Sequence, residues 1–271
     1  METAGTTGKK SLDFLLVLLN KGEMQIPKIL KTVDGSPSLE LINSKNINET
    51  MHSQNGAFTE TIYIYYEALK AMASAQLPIR VVSVGLGIGY NEILTLAEAL
   101  RRSCFDSDFF VQSYESEPWL RQAFHSWGLK QDFSSEQEPL FQAYNQILQL
   151  VSDHLNLDAA EVRNQISAQL KKGHIELGAS LTKQSHPHVK FHGILYDAFS
   201  SKMTPELWSE DFLVHFLSEF AHPQCVLTTY AATGALKRAL KKNGFEVIKR
   251  SGFCGKREST FAVRGFNYTI T

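Results

Sequence analysis

Apolar positions along the chain switch between two spacings, and the switches mark its elements. Residues 26–33 and 39–42 flank Asp34-Gly35-Ser36-Pro37, a turn sequence that predicts a β-hairpin over 26–43. From 59 to 76 the period lengthens. Ile62, Tyr65, Tyr66, Leu69 and Met72 recur at helical spacing, with Thr59 placed to cap them. Residues 79–84 read as a short β-branched strand running into glycines, and a helical pattern resumes at 94–100. A second buried strand is expected at 109–114, then a helix at 118–127 that opens on Pro118. The long polar, periodic stretch 135–172 predicts an inserted pair of helices, spanning about 132–172 with its flanks. Short strands follow at 174–177, 191–196, 225–230, 245–248 and 260–263. Helices are expected at 205–220 and at 235–242, the latter closed by Asn243-Gly244.

Strands alternating with helices predict an α/β fold, a mostly parallel seven-stranded sheet covered on both faces. Residues 1–50 read as an N-terminal extension with the hairpin, and 51–271 as the sheet domain. The apolar run at 14–19 follows Lys9 and Lys10. It is too short to span a bilayer, and Lys21-Gly22-Glu23 stands where a cleavage site would be, so neither an anchor nor a leader is expected. Cys104, Cys225 and Cys254 are scattered and form no CxxC, which argues against a disulfide framework or a zinc site and for a cytoplasmic location. His186, His188 and His192 are close in sequence, but around Pro187 they read as a loop, and no metal is expected.

Candidate chemistry gathers where strands end. Gly85-Leu86-Gly87-Ile88-Gly89-Tyr90-Asn91 joins the first sheet strand to its helix. Glycines there permit positive φ and let a ligand approach the backbone, at the edge where open α/β sheets bind cofactors. The spacing is GxGxG, neither the dinucleotide fingerprint nor a phosphate loop, and a plain tight turn is the competing explanation. Glu115 ends the second strand, where an acid can accept both hydroxyls of a ribose; Glu117 is the alternative. Asp197 ends the strand 191–196. A carboxylate there can orient an alkylammonium and accept its proton, which a nucleophilic amine must lose; a turn or helix-cap aspartate is the simpler explanation. Phe199, Met203, Pro205 and Trp208 follow, as walls of a pocket for a planar base or as the core face of the next helix.

Net charge is −1, yet 237–271 holds nine Lys or Arg against two acids. A basic end on an acidic body suits a polyanion, or is a solvated helix face.

Five segments together resemble the methyltransferase domain of the MnmC family, over about 52–263. They are His52-Ser53-Gln54-Asn55-Gly56 with Glu60; the glycine turn through Asn91; Ser113-Tyr114-Glu115 with Pro118; Asp197-Ala198-Phe199 through Pro205 and Trp208; and Gly252-Phe253 with Gly255-Lys256-Arg257-Glu258. The resemblance implies a Rossmann-like class I fold and S-adenosyl-L-methionine as cofactor. It implies methylation of the amine of 5-aminomethyl-(2-thio)uridine at the tRNA wobble position, giving 5-methylaminomethyl-(2-thio)uridine. Asp197 is then the catalytic carboxylate. Gly85, Gly87, Gly89, Tyr90, Asn91, Glu115, Asn55 and Glu60 are expected around the cofactor. Phe199, Trp208, Lys256, Arg257, Lys237 and Arg238 are expected on the tRNA side, with Lys241 and Lys242 behind them. The flavin oxidoreductase domain of bifunctional members is not expected in 271 residues, nor is a membrane partner. Two positions depart from the family pattern. Ser83 replaces an acid, and Gly178-Ala179-Ser180 stands where a Gly-Asp pair would meet adenine. The run Asp197-Ala198-Phe199-Ser200 is also similar to polyamine aminopropyltransferases, and the two lost acids leave room for a non-catalytic RNA-binding module of the same fold.

Overall fold

The computed structural model describes residues 28–42, 48–105, 108–135, 137–255 and 257–270. The apolar run at 14–19 and Lys256 lie outside the described residues.

The expected hairpin is formed by β1 (Lys28–Lys31) and β2 (Pro37–Ile42), and β3 (Asn48–Thr50), not anticipated, extends it to a three-stranded antiparallel sheet. Asp34 organises its turn: Oδ1 accepts from Thr32 Oγ1 at 2.7 Å and from the Ser36 amide at 3.0 Å. The other oxygen, Oδ2, accepts from the amide and hydroxyl of Thr59, at 3.0 and 2.9 Å. Asp34 thus caps the first helix from another element. That helix starts after Gly56, two residues earlier than expected, so Thr59 lies inside it and is capped rather than capping. It runs as α1 (Ala57–Thr61), a π turn (Ile62–Tyr66) and α2 (Glu67–Ser74).

The main sheet comprises β4 (Arg80–Val84), β5 (Phe110–Tyr114), β6 (Ile175–Gly178), β7 (Phe191–Tyr196), β8 (Ala221–Thr229), β9 (Glu246–Arg250) and β10 (Ser259–Arg264). Their order is β6-β5-β4-β7-β8-β10-β9. The first five are parallel, and β10 runs antiparallel to both neighbours. The helices are α3 (Tyr90–Arg101), α4 (Pro118–Gly128), α5 (Glu138–Leu155), α6 (Ala159–Lys171), α7 (Glu210–Phe220) and α8 (Gly234–Lys242). Helix α7 begins five residues later than expected, because Ser209 supplies its cap by accepting from the Phe212 amide at 3.3 Å. The insertion is α5 and α6, which cover the side of α3 and α4.

Alternate strand residues face the two layers. Val81, Val111, Leu195 and Phe261 join the core under α1–α6, while Val82, Ile194, Leu227 and Ala262 join the core under α7 and α8. Among the described residues no helix is long and apolar enough to cross a membrane. The chain leaves β4 for β5 and β6 on one side, then returns to β7 on the other. The carboxyl ends of β4 and β7 therefore open a crevice.

Asp34 links the small sheet to this domain through a titratable group. Burial, which raises its pKa, is outweighed by hydrogen bonds from Ser36, Thr59 and Thr32, which hold the carboxyl well below the usual range. A depressed folded pKa stabilises above the unfolded value, and the contribution is lost as pH falls through the folded one. Asp34→Ala is expected to cost about 1 kcal/mol at neutral pH, the usual worth of a helix cap. Urea unfolding at stepped pH should show the gap to wild type closing only in strong acid.

Candidate active site

The strand ends set the geometry of the crevice. The Asp197 amide donates to the Val84 carbonyl at 2.8 Å, so β7 ends against the start of the glycine turn. A Cβ at position 85 would lie 2.5 Å from the Asp197 carbonyl oxygen, and Gly85 has φ +100, so no other residue fits. Gly87 (φ +51) and Gly89 (φ +77) continue the left-handed backbone, and Gly89 leads into α3. The amides of Gly85 and Leu86 donate to Tyr114 at the end of β5.

The next acid along the edge is Glu115. Its Oε2 accepts from the Gly87 amide at 3.0 Å and its Oε1 from the Glu117 amide at 3.0 Å. Burial raises its pKa against those hydrogen bonds. Glu117 points its Oε2 at the Trp119 indole, 3.2 Å away, and is not part of the cleft lining. Of the two candidate acids, Glu115 is the one in the cleft.

The cleft encloses about 320 Å³, in the range of small-molecule sites. Gly85, Gly87, Tyr90, Asn91, Glu115, Glu60, Asp197 and Phe199 line it, with His52, Tyr114, Ser180 and Tyr230 among the rest. Asp197 sits half-buried within it. The Tyr65 hydroxyl donates to Oδ1, and Asn91 Nδ2 lies 3.4 Å from Oδ2. Burial pushes the Asp197 carboxyl up to about 8, Glu60 and Glu92 add to the rise, and Tyr65 and Asn91 oppose it. Tyr65 itself is buried, and desolvation together with the Asp197 charge raises its pKa. Glu60 is buried and accepts from the Ser53 amide at 2.7 Å. Behind the glycine turn, Glu92 accepts from Ser113 Oγ at 2.6 Å, and burial lifts it to about 7. His52 is lowered to about 4 by burial, so it is neutral at physiological pH.

Other expected site residues lie elsewhere. Asn55 is exposed and outside the lining, because the chain turns there and its amide donates back to Ser53 Oγ. Trp208 is buried among Tyr196, Tyr230 and the α7 core. Its indole donates to the Phe199 carbonyl at 2.6 Å, so it braces the cleft wall from behind and does not form it. The Tyr90 hydroxyl, although its ring lines the cleft, is taken by the Pro37 carbonyl at 2.8 Å. Lys237 pairs with Glu258 at 2.6 Å; Arg238 and Lys242 pair with Glu210 at 2.6 and 2.7 Å. These are exposed α8 residues away from the lining, so the basic helix is partly neutralised. Arg257 is exposed. At the two departures, Ser83 is buried and Ala179 is exposed, while its neighbour Ser180 lines the cleft. No cluster of three or more potential metal ligands occurs among the described residues.

Tyr65 was not singled out by sequence reasoning, because its helical spacing matched the core face. The signal was chemical: a buried tyrosine needs a partner for its hydroxyl. The π turn that aims it is held from the sheet. Thr228 Oγ1 donates to the Ile64 carbonyl at 2.6 Å, and Arg250 Nη1 donates to the same carbonyl at 3.1 Å.

Comparison with known proteins agrees with this layout. A family model described as S-adenosyl-L-methionine-dependent methyltransferase matches residues 137–265. The "tRNA 5-methylaminomethyl-2-thiouridine biosynthesis bifunctional protein MnmC" of Hahella chejuensis is 42% identical over 67 residues, 25% of this chain and 10% of that protein. The protein of the same name from Hydrogenovibrio crunogenus is 25% identical over 77% of this chain and 33% of its own length. The chain thus spans a third or less of these relatives. Among solved structures, MnmC2 from Aquifex aeolicus superposes with a TM-score of 0.58 at 22% identity, covering 96% of this chain and 78% of that one.

The cleft fits the cofactor of this class. Its glycine turn leaves backbone open where a Cβ would intrude, Glu115 presents a carboxylate beside that turn, and Asn91 Oδ1 is buried without a partner among the described residues. Glu115→Gln should weaken S-adenosyl-L-methionine binding roughly 10- to 100-fold, the worth of one or two hydrogen bonds to a charged acceptor, as read by calorimetry.

Proposed function

We propose that the chain is an S-adenosyl-L-methionine-dependent methyltransferase domain of the MnmC type and that it N-methylates the aminomethyl group of 5-aminomethyl-(2-thio)uridine at the tRNA wobble position, a reading supported by its similarity to MnmC proteins. The product is 5-methylaminomethyl-(2-thio)uridine. The observation that carries this reading is Asp197, a half-buried carboxyl beside the glycine turn with its pKa raised to about 8.

The cofactor, when bound, supplies a methyl group already activated on a sulfonium. The chain's own residues have to prepare the amine. At neutral pH an alkylamine is an ammonium with no lone pair to attack with. Asp197, as carboxylate, pairs with that ammonium and accepts its proton, which frees the nitrogen. A carboxyl tuned close to physiological pH is a better proton acceptor than an exposed aspartate near 4. Tyr65 and Asn91 hold its two oxygens, so its orientation is set before the acceptor arrives. Phe199 and Tyr230 give the cleft flat apolar walls suited to a pyrimidine. Gly85, Gly87 and Glu115 would hold the cofactor, with Glu115 on the ribose. The same reading places the protein in the cytoplasm with its RNA.

Asp197→Asn is expected to leave cofactor binding within a few-fold of wild type and to lower methyl transfer by about 100-fold or more, the scale of a lost general base. Mass spectrometry of nucleosides from tRNA incubated with protein and cofactor reads both the rate and the group transferred. Aminopropylation, or no modification of an aminomethylated tRNA by wild type, sinks the proposal.

A second expectation concerns pH. The Tyr65 hydrogen bond lowers the Asp197 pKa, so its removal in Tyr65→Phe raises that pKa. The carboxylate form is then reached only at higher pH, and the acidic limb of the pH–rate profile should move upward. An unmoved limb removes Tyr65 from the proton balance.

A further inference from the structure

The π turn presents two tyrosines to different surroundings. Tyr65 is buried on Asp197, whereas Tyr63, two residues earlier, is 40% exposed. Tyr63 is nonetheless fixed. Its hydroxyl donates to the Ser251 carbonyl at 3.0 Å, its ring centre lies 6.0 Å from that of Phe253, and Arg250 sits 5.7 Å from the ring. Residues 251–258 connect β9 to β10. In the sheet, Thr260 pairs with Thr229, the residue before cleft-lining Tyr230. This connection therefore lies at the edge of the sheet that carries the cleft.

Charge distinguishes this rim from the basic helix α8. Lys237, Arg238 and Lys242 are in ion pairs, whereas Arg257, in the same connection as Phe253, is exposed, forms none among the described residues and acts on Glu258 less than Lys237 does. The rim thus combines two fixed aromatic rings with one exposed cation outside any ion pair. A protein or membrane partner could use rings of any orientation. Stacking on a nucleobase requires rings whose planes are fixed, with cations beside them for the phosphates.

We propose that Tyr63 and Phe253 form a stacking platform for an unpaired RNA base adjacent to the one in the cleft, with Arg257 neutralising a phosphate beside it. This rests on the RNA-modification reading and adds where the flanking strand is held. Both features are sequence-tolerant, because every base has a π face. The platform therefore selects for unpaired structure and leaves recognition of the modified base to the cleft.

The test is equilibrium binding of an anticodon stem-loop RNA to the full chain, monitored by fluorescence anisotropy. The variants are Y63L/F253L, which keeps apolar bulk but removes the rings, and Tyr63→Phe, which keeps the ring. The double variant should bind roughly tenfold or more weakly, in line with the loss of base–aromatic stacking. Tyr63→Phe, which loses the hydroxyl bond but keeps the ring and its contacts with Phe253 and Arg250, should lose clearly less than the double variant. Cofactor affinity by calorimetry checks that each variant is folded. A fully paired RNA of the same length should bind wild type and double variant alike, having no free base to stack. Stem-loop affinity unchanged in Y63L/F253L, or an equal loss on the duplex, overturns the platform even where methylation proceeds. Wild-type binding that is lost in the double variant, without any methyl transfer, supports the platform and removes only the modification reading. No binding of the stem-loop by wild type overturns both.

Discussion

The parallel pairing of β4 with β7, extended past its last pair by the bond from the Asp197 amide to the Val84 carbonyl, brings their carboxyl ends together, and the cleft follows from that closeness. With the strand ends this near, the residue after Val84 has no room for a side chain, so the turn must begin with glycine. The turn then bends back over β5, where two of its amides meet the Tyr114 carbonyl and a third meets Glu115. Three neighbouring strand ends thus deliver a backbone cradle, an acid beside it and a second acid across from it. Parallel strands put all three ends on one edge, and the crevice opens between β4 and β7, where the chain reverses its order of addition.

The other wall depends on a clamp from the C-terminal hairpin. A π turn is an uncommon conformation that lasts where its surroundings hold it. Here Arg250 has no carboxylate partner among the described residues. It donates to the Tyr63, Ile64 and Thr260 carbonyls and to the hydroxyls of Thr228 and Ser259, at 2.8–3.4 Å. Burial pushes its pKa down, yet a guanidinium remains charged. Its cost of desolvation is offset by five oriented dipoles. The hairpin β9–β10, far away in sequence, thereby fixes the register of a turn whose inner tyrosine reaches the Asp197 carboxyl.

The fold was legible because each of its elements has a local signature. Turn residues at 34–37, β-branched runs that end in glycine, and helical spacing in the insertion needed no tertiary information. Glu115 and Asp197 were legible for a related reason: in a parallel sheet, an acid at the end of an apolar strand has only one edge to occupy. What the sequence hid is what depends on partners far away in the chain. Tyr65 and Trp208 are both aromatics at core spacing, and only their hydrogen-bond partners separate the one that faces Asp197 from the one that braces Phe199. Asn55 stood in a motif, but its turn carries it outward. The strand β3 is too short to show a period. The basic residues of α8 could be counted but not paired, since Glu210 and Glu258 reach them from other elements.

Charge is divided between the cleft and its rim in a way that suits two different parts of one ligand. Asp197, Glu60 and Glu115 line the cleft, Glu92 lies behind the turn, and their proximity contributes to holding the Asp197 and Glu92 carboxyls above the ordinary range. Such a site favours cations, and both a sulfonium and an alkylammonium are cations. Binding either one lowers the pKa of its neighbours, so under the proposed function the Asp197 carboxylate is stabilised when the amine enters. The same field repels phosphate. A polyanion can place a base in this cleft only if its backbone is held outside it, which is the part the proposed rim of Tyr63, Phe253 and Arg257 would play.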